Sequence, residues 1–161
     1  MDITFVSDNA SDISKALKYQ GNYKWFGCAG HHLNLVVRHG FKKNLSAALL
    51  IKKCKKIVQA VNYSQPILNE VRRYQEELDL PIQAIMQEMS TRWWSILNML
   101  QSIVFSNHPV ILALADANRR ELILTLDEVA RVKELIKILE FFQHVGLELG
   151  KEKEVTIGFH I

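Results

Sequence analysis

The hydrophobic pattern of this chain changes character near residue 45. Before that point, "ITFVS" at residues 3–7 is short, apolar and β-branched, which is typical of a buried strand. "YKWFGC" at residues 23–28 predicts a second strand, and the apolar positions of "SDISKALKY" between them have helical spacing. A further helical pattern begins at His31. The first 41 residues therefore predict two strands and two helices.

The rest of the chain is dominated by helical spacing, and alternation with a period of two returns only in "EVTIGFHI" at residues 154–161. Apolar positions of the segment 45–61 fall on one face of a helix, with Cys54 among them as a predicted core residue. Further helices are predicted from about Ser64 to Leu78, from Ser90 or Thr91 through Trp93, from Pro109, and from a capping box formed by Thr125 and Glu128 up to Gly150.

Composition places the chain among folded intracellular proteins. Its 161 residues correspond to about one domain, and 48% hydrophobic residues are enough for a core. No apolar run approaches the roughly 20 residues of a membrane span, and the first residues lack the features of a secretory signal. We therefore expect no membrane association and no disulfide between the two cysteines. A net charge of +3 does not by itself establish nucleic-acid binding.

The positive charge is concentrated between Arg38 and Arg73. Within that stretch "IKKCKK" supplies four lysines, Lys52, Lys53, Lys55 and Lys56. One interpretation is an ordinary solvated helix face opposite an apolar stripe. The other is a set of contacts to DNA phosphates, whose strength would depend strongly on salt.

A candidate carboxylate, Asp8, follows the first predicted strand. In that position it projects from rigid backbone at the edge of a sheet, as catalytic carboxylates do, or it caps the helix that follows.

A possible metal or nucleophile site is "WFGCAGHHLNLVV", which contains Cys28, His31 and His32. A structural zinc site normally needs four ligands, and no second pair accompanies these residues. A nucleophilic Cys and His pair would need an orienting partner that the sequence does not supply. Neither interpretation is favoured by the residues alone.

The motif "STRWWS" places Arg92 beside Trp93 and Trp94. An arginine next to an aromatic ring suits contact with a phosphate and stacking of a nucleobase. Because Trp93 shares helical spacing with Leu97 and Leu100, a core tryptophan is the alternative.

Taken in order, "VSDNASDISKAL", "CAGHHLNLVV", "IKKCKKIVQAVNYS" and "MSTRWWSILNMLQSI" resemble the hAT superfamily of transposases and the host proteins derived from them, including BED-type zinc-finger proteins. "LTLDEVARVKELIKILEFFQ" resembles the region after the family's Trp motif. The resemblance covers nearly the whole chain.

The resemblance implies an α/β fold: a partial RNase H-like core of about two strands (residues 1–41), a mainly helical insertion (42–150) and a truncated return segment (151–161). Active relatives cleave DNA and transfer strands by a DDE-type mechanism in which three acids hold Mg²⁺. Asp8 matches the second acid and is thus the expected catalytic and metal-binding residue. Cys28 and His31 match a Cys-x-x-His motif near DNA, and Trp93 matches a tryptophan that stacks on a flipped base, although Trp94 departs from the family pattern.

The first and third acids of the family find no match in this sequence, so we expect the chain alone to be inactive and to bind no Mg²⁺ stably. The expected partner is DNA, in the nucleus, with no small-molecule substrate; in the full-length family, self-association uses a region not seen here. Two functions stay open: an incomplete transposase core, or a non-enzymatic module that binds DNA or protein.

Overall fold

The computed structural model describes residues 4–7, 15, 24–89 and 94–149. The chain divides into two compact units, one formed by Met1–Phe41 with Phe142–Ile161 and the other by Lys42–Phe141. We refer to the second as the helical unit. Asp8, Arg92 and Trp93 lie outside the described residues, and so do residues 151–161. The domain boundaries inferred from the sequence stay predictions.

The described residues of the first unit include two short strands, most of one helix and the end of another. Strands β1 (Thr4–Ser7) and β2 (Lys24–Gly27) are parallel, with Thr4 opposite Lys24 and Ser7 opposite Gly27. Parallel pairing requires a crossover connection of about a dozen residues or more, and residues 8–23 are long enough to provide it. Helix α1 (Ala29–Lys43) begins one residue after Cys28, whose carbonyl oxygen accepts a hydrogen bond from the His32 N–H at 3.1 Å.

The helical unit is built from helices joined by short turns and one longer connection. They are α2 (Leu45–Asn62), α3 (Gln65–Glu77), α4 (Ser95–Phe105), α5 (Asn107–Asp116), a 3₁₀ turn (Arg120–Leu122) and α6 (Leu126–Leu149), which continues past the unit's end. Asn44 caps α2 through its side-chain oxygen, which accepts a hydrogen bond from the Ala47 N–H at 3.1 Å. Pro66 lies in the first turn of α3, where its missing N–H costs no helical hydrogen bond.

The core of the helical unit consists of apolar faces from these helices. Helix α3 packs against α5 and α2, and α2 also contacts α4. Cys54 and Val61 are fully buried on α2, and Leu97 and Leu114 are fully buried on α4 and α5. The predicted core position of Cys54 is therefore confirmed.

The fold class predicted from the sequence is wrong. A partial α/β RNase H-like core of about two strands, followed by a mainly helical insertion, was expected, but the structure is predominantly helical. Among the described residues, β structure is limited to two paired strands of four residues each, which do not form the mixed sheet of an RNase H-like core. The physical reason is that apolar positions from residue 29 onward recur with helical spacing, so the described chain buries its apolar surface between helices.

The predicted helix carrying Trp93 also begins later than expected. Helix α4 begins at Ser95, and its N-cap residue Trp94 has a φ of 63°, in the left-handed region. Such a conformation is uncommon for a bulky residue, because its side chain approaches the backbone closely. The left-handed backbone of Trp94 therefore marks the start of α4, which the sequence had placed several residues earlier.

Within the described part of the chain, no single helix is long and apolar enough to span a membrane. Helices α4 and α5 reach that length and composition only as a pair, and they are bent by 74° relative to each other.

Candidate nucleic-acid interface

The described residues 81–89 of the connection between α3 and α4 are non-helical and are attached to the surrounding helices by side-chain hydrogen bonds. We call residues 81–89 the pinned segment. The Asn62 amide donates a hydrogen bond to the Ile85 carbonyl oxygen at 2.9 Å, and the Met86 N–H donates one to the Ser102 hydroxyl at 2.9 Å. These bonds replace the backbone partners that a helix or sheet would supply, so the segment has a defined path.

Gln75 connects the pinned segment to the core of the helical unit. Its side chain is fully buried, and its Nε2 donates to the Gln83 carbonyl oxygen at 3.0 Å and to the Ser106 hydroxyl at 2.9 Å. Its Oε1 is buried and has no hydrogen-bond partner among the described residues. A buried acceptor without a partner costs free energy. The two hydrogen bonds that Nε2 donates offset this cost and so stabilise the Gln75 amide in the core.

The pinned segment leads directly into the Thr91-Arg92-Trp93 motif. Met89 precedes that motif and Ser95 follows it. The buried Ser95 hydroxyl donates a hydrogen bond to the Met89 carbonyl oxygen at 2.7 Å. The two chain segments that flank the motif are therefore held together at the start of α4. The roles predicted for Arg92 and Trp93 stay predictions, since neither residue is described.

The four lysines predicted to contact phosphates fall into two classes. Lys53 forms an ion pair with Glu128 at 2.7 Å, and Lys55 forms one with Glu88 at 3.0 Å. Lys52 and Lys56 are exposed, lie one turn apart on α2, and have no ion pair within the described residues. The free positive charge of α2 is thus on Lys52 and Lys56.

The Lys53 and Glu128 pair also fastens the start of α6 to α2. Glu128 Oε2 accepts the Thr125 backbone N–H at 2.8 Å, and the Thr125 hydroxyl accepts the Glu128 N–H at 3.2 Å, which confirms the predicted capping box. Partial burial of Glu128 acts to raise its pKa, but the hydrogen bonds from Lys53 and Thr125 outweigh it, so the pKa is lowered overall. Glu128 is therefore ionised at neutral pH and forms an ion pair with Lys53.

The basic stretch is partly neutralised on α3 as well. The Arg73 guanidinium contacts the carboxylates of Glu70 and Glu77 and lies 4.0 Å from the ring centre of Tyr74. The stretch between Arg38 and Arg73 therefore offers fewer available cations than its composition indicates.

Cys28 and His31 lie at the start of α1. Cys28 directly precedes the helix, and His31 is three residues further on, in its first turn, with both residues partly buried. In the described part of the chain, no group of three His, Cys, Asp or Glu side chains is arranged to hold a metal ion. Burial, reinforced by the nearby Glu128 charge, raises the pKa of the other thiol, Cys54, to about 12, which makes Cys54 a poor metal ligand. The role of Cys28 and His31 near DNA stays a prediction.

Sequence reasoning missed the pinned segment and the side chains that hold it. The available signal was a set of polar residues on otherwise apolar helix faces, of which Gln75 and Ser102 are the clearest. Such residues indicate a buried hydrogen-bond partner, because an unpaired polar group is costly in a core.

Comparison with known proteins identifies the group to which this fold belongs. The model of the ZBED1 RNase-like helical domain family matches residues 26–138, which is most of the chain. The chain belongs to the ZBED1 RNase-like helical domain family. It is also 25% identical over 147 residues to human zinc finger BED domain-containing protein 4, covering 91% of this chain and 12% of that protein's length. The resemblance to hAT-derived BED-type proteins is therefore confirmed.

The family name describes the helical domain as RNase-like, and the match extends from the second half of β2 to Ile138, about halfway along α6. The pinned segment, the free lysines of α2 and the capping box of α6 all lie within the matched residues. Because the chain spans only about an eighth of the human relative, activities of that whole protein are not established for this chain.

Proposed function

We propose that the helical unit binds DNA through its phosphate backbone, as one module of a hAT-derived protein. The observation that supports this most directly is the pair Lys52 and Lys56, exposed and without ion pairs in the described chain. Helix α2 contains no acidic residue, so nothing on the helix itself opposes an approaching phosphate. Lysine contacts of this kind supply affinity without reading sequence.

The contact between α2 and the pinned segment supports the same proposal. Lys55, which neighbours Lys56, is paired with Glu88, and Glu88 lies three residues before Thr91. The approach to the Thr91-Arg92-Trp93 motif is thereby attached to the helix that has the free lysines. In the proposal, Arg92 adds a phosphate contact and Trp93 stacks on a base, as the family resemblance implies.

The proposal assigns no bond-breaking step to the helical unit. DDE-type strand cleavage with Mg²⁺ and self-association in a complete family member, where Asp8 would be one of three acids, are further proposals, as are the inactivity of this chain alone and a nuclear location. They rest on the family resemblance. The likeness to a BED zinc-finger protein is compatible with a nuclear location.

A matched pair of charge reversals tests the proposal. The full 161-residue chain is titrated into a labelled 20-base-pair duplex of arbitrary sequence, and binding is followed by fluorescence anisotropy. We expect Lys52→Glu with Lys56→Glu to weaken binding at least about tenfold. The control reverses Lys133 and Lys137, which are also exposed, one turn apart and free of ion pairs in the described chain, but lie on α6. Equal weakening by both double variants, or no binding by the intact chain, contradicts the proposal.

A further inference from the structure

The exposed side of α2 has a residue pattern that phosphate binding does not explain. Its members recur with alternating spacings of four and three residues, which is the spacing of a helix that packs along another helix. We call this set the outer seam: Leu45, Leu49, Lys52, Lys56 and Gln59 on α2, with the C-cap residue Tyr63 that directly follows the helix.

The apolar members of the outer seam are unusually exposed. The exposed fraction is 71% for Leu45, 57% for Leu49 and 74% for Tyr63. A phosphate backbone would contact the two lysines and leave these leucines in water. Large apolar side chains next to a charged stretch are typical of a surface that binds a protein partner.

The charges around the outer seam select the kind of partner. Helix α2 has four lysines and no acidic residue, and the two carboxylates that reach it, Glu88 and Glu128, are already paired with Lys55 and Lys53. Lys42 and Lys43 add exposed positive charge just before Leu45. The seam is therefore complementary to a negatively charged surface.

A second copy of this chain does not fit that requirement. In an antiparallel pairing of two α2 helices, Lys52 of one copy would face Lys56 of the other, and in a parallel pairing each lysine would face its own equivalent. Either arrangement places like charges opposite each other in the middle of the contact, which opposes association.

We propose that the outer seam of α2 is a docking surface for an acidic amphipathic helix of a partner protein. Leucine-sized residues of that helix pack on Leu45 and Leu49, and glutamates or aspartates one to two turns away pair with Lys52 and Lys56. Such a helix and DNA both use Lys52 and Lys56, so they bind the helical unit in competition. Helix binding itself does not depend on DNA binding.

The test uses synthetic helical peptides and the full chain. Two labelled peptides have 18 residues, the length of α2, with leucines at two seam positions and glutamates at the next two; one has the leucines in its N-terminal half and the other in its C-terminal half. In a control peptide, lysines replace the glutamates. We expect one glutamate peptide to bind, the lysine peptide not to bind, and the bound peptide to be displaced by the duplex.

Protein variants then separate the seam from the rest of the surface. We expect Leu45→Gln with Leu49→Gln to weaken peptide binding at least about tenfold and to change DNA affinity less than about twofold. The control, Leu126→Gln with Ile138→Gln, alters two exposed aliphatic residues of α6 and should leave both affinities unchanged. In the variant Lys52→Glu with Lys56→Glu, we expect the peptide preference to be reversed, so that the lysine peptide binds and the glutamate peptide does not.

The results distinguish the two proposals. The docking surface is disproved if neither glutamate peptide binds, or if the control variant weakens peptide binding as much as the seam variant does. This conclusion holds whether or not the chain binds DNA. If the peptide binds as described while the chain has no affinity for DNA, the docking surface stands and the DNA proposal fails.

Discussion

The Ser95 hydroxyl donates a 2.7 Å hydrogen bond to the Met89 carbonyl oxygen and so joins the two chain segments that flank the Thr91-Arg92-Trp93 motif. Ser95 is the first residue of α4 and is buried, whereas Met89 is the last residue of the pinned segment. The bond thus fixes the distance between a rigid helix and the end of a non-helical connection.

Replacing Ser95 by alanine removes the hydroxyl that donates a hydrogen bond to the Met89 carbonyl oxygen. We expect the free energy of unfolding to fall by about 1 kcal/mol, the typical net value of such a bond. Urea denaturation of the full chain measures the change. Ser46→Ala is the matched control, because Ser46 is an exposed acceptor for Arg131 and its loss should cost less than about 0.5 kcal/mol. Equal losses of unfolding free energy at the two serines would show that the Ser95 hydrogen bond contributes no more to stability than the exposed Ser46 contact.

Gln75 should be much less tolerant of substitution than an exposed glutamine. In Gln75→Ala, the Gln83 carbonyl oxygen loses its donor and a cavity forms in the core, so we expect a loss of about 2–4 kcal/mol. Gln101, whose Nε2 donates to Glu140 on the surface, provides the control, and Gln101→Ala should cost less than about 0.5 kcal/mol. Thermal unfolding followed by circular dichroism compares the two, and a small effect at Gln75 would argue against the pinned segment.

Glu128 should make stability depend on pH in the acid range. Its pKa in the folded state is lowered, so its contribution is present above the unfolded value of about 4.3 and is lost as the pH falls through the folded value. Glu128→Gln keeps a capping acceptor but loses the charge that pairs with Lys53. We expect it to be less stable than the wild type by about 1 kcal/mol at pH 7, with the difference disappearing as the pH falls through the lowered pKa of Glu128.

Denaturant unfolding at several pH values measures that difference. Glu134→Gln, at an exposed position of the same helix, should follow the wild-type curve across the range. A constant difference between Glu128→Gln and the wild type at all pH values would mean that the ion pair contributes nothing.

The two cysteines should differ sharply in reactivity. Burial raises the pKa of Cys54 to about 12, and its side chain is fully inaccessible, whereas Cys28 is only partly buried. Because the thiolate is the reactive form, we expect one thiol per chain to react with Ellman's reagent in the native state and two after unfolding. The variant Cys28→Ser should then show none in the native state, and rapid reaction of that variant would place Cys54 at the surface.

Sequence reasoning located most of the helices because their apolar residues recur at helical spacing. It placed Cys54 in the core and recognised the capping box of Thr125 and Glu128, since both depend on residues close in sequence. It assigned the wrong fold class because the family resemblance led us to classify a predominantly helical chain as α/β on the basis of two short apolar segments.

What the sequence could not provide were the contacts between distant residues. Lys53 and Lys55 looked equivalent to Lys52 and Lys56 until their partners Glu128 and Glu88 were known, and those carboxylates are far away along the chain. The start of α4 at Ser95 depends likewise on the left-handed backbone of Trp94 and on the bond to Met89. Local propensity predicts neither the ion pairs of Lys53 and Lys55 nor the start of α4, because tertiary structure determines them.

The salt dependence of DNA binding tests the central claim most directly. The logarithm of the association constant is plotted against the logarithm of salt concentration for the wild type, for Lys52→Gln with Lys56→Gln, and for Lys133→Gln with Lys137→Gln. If Lys52 and Lys56 each contact a phosphate, their loss lowers the magnitude of the slope by about 2, while the α6 control keeps the wild-type slope. An unchanged slope in the α2 variant, or the same reduction in both variants, would contradict the assignment of these two lysines to the DNA backbone.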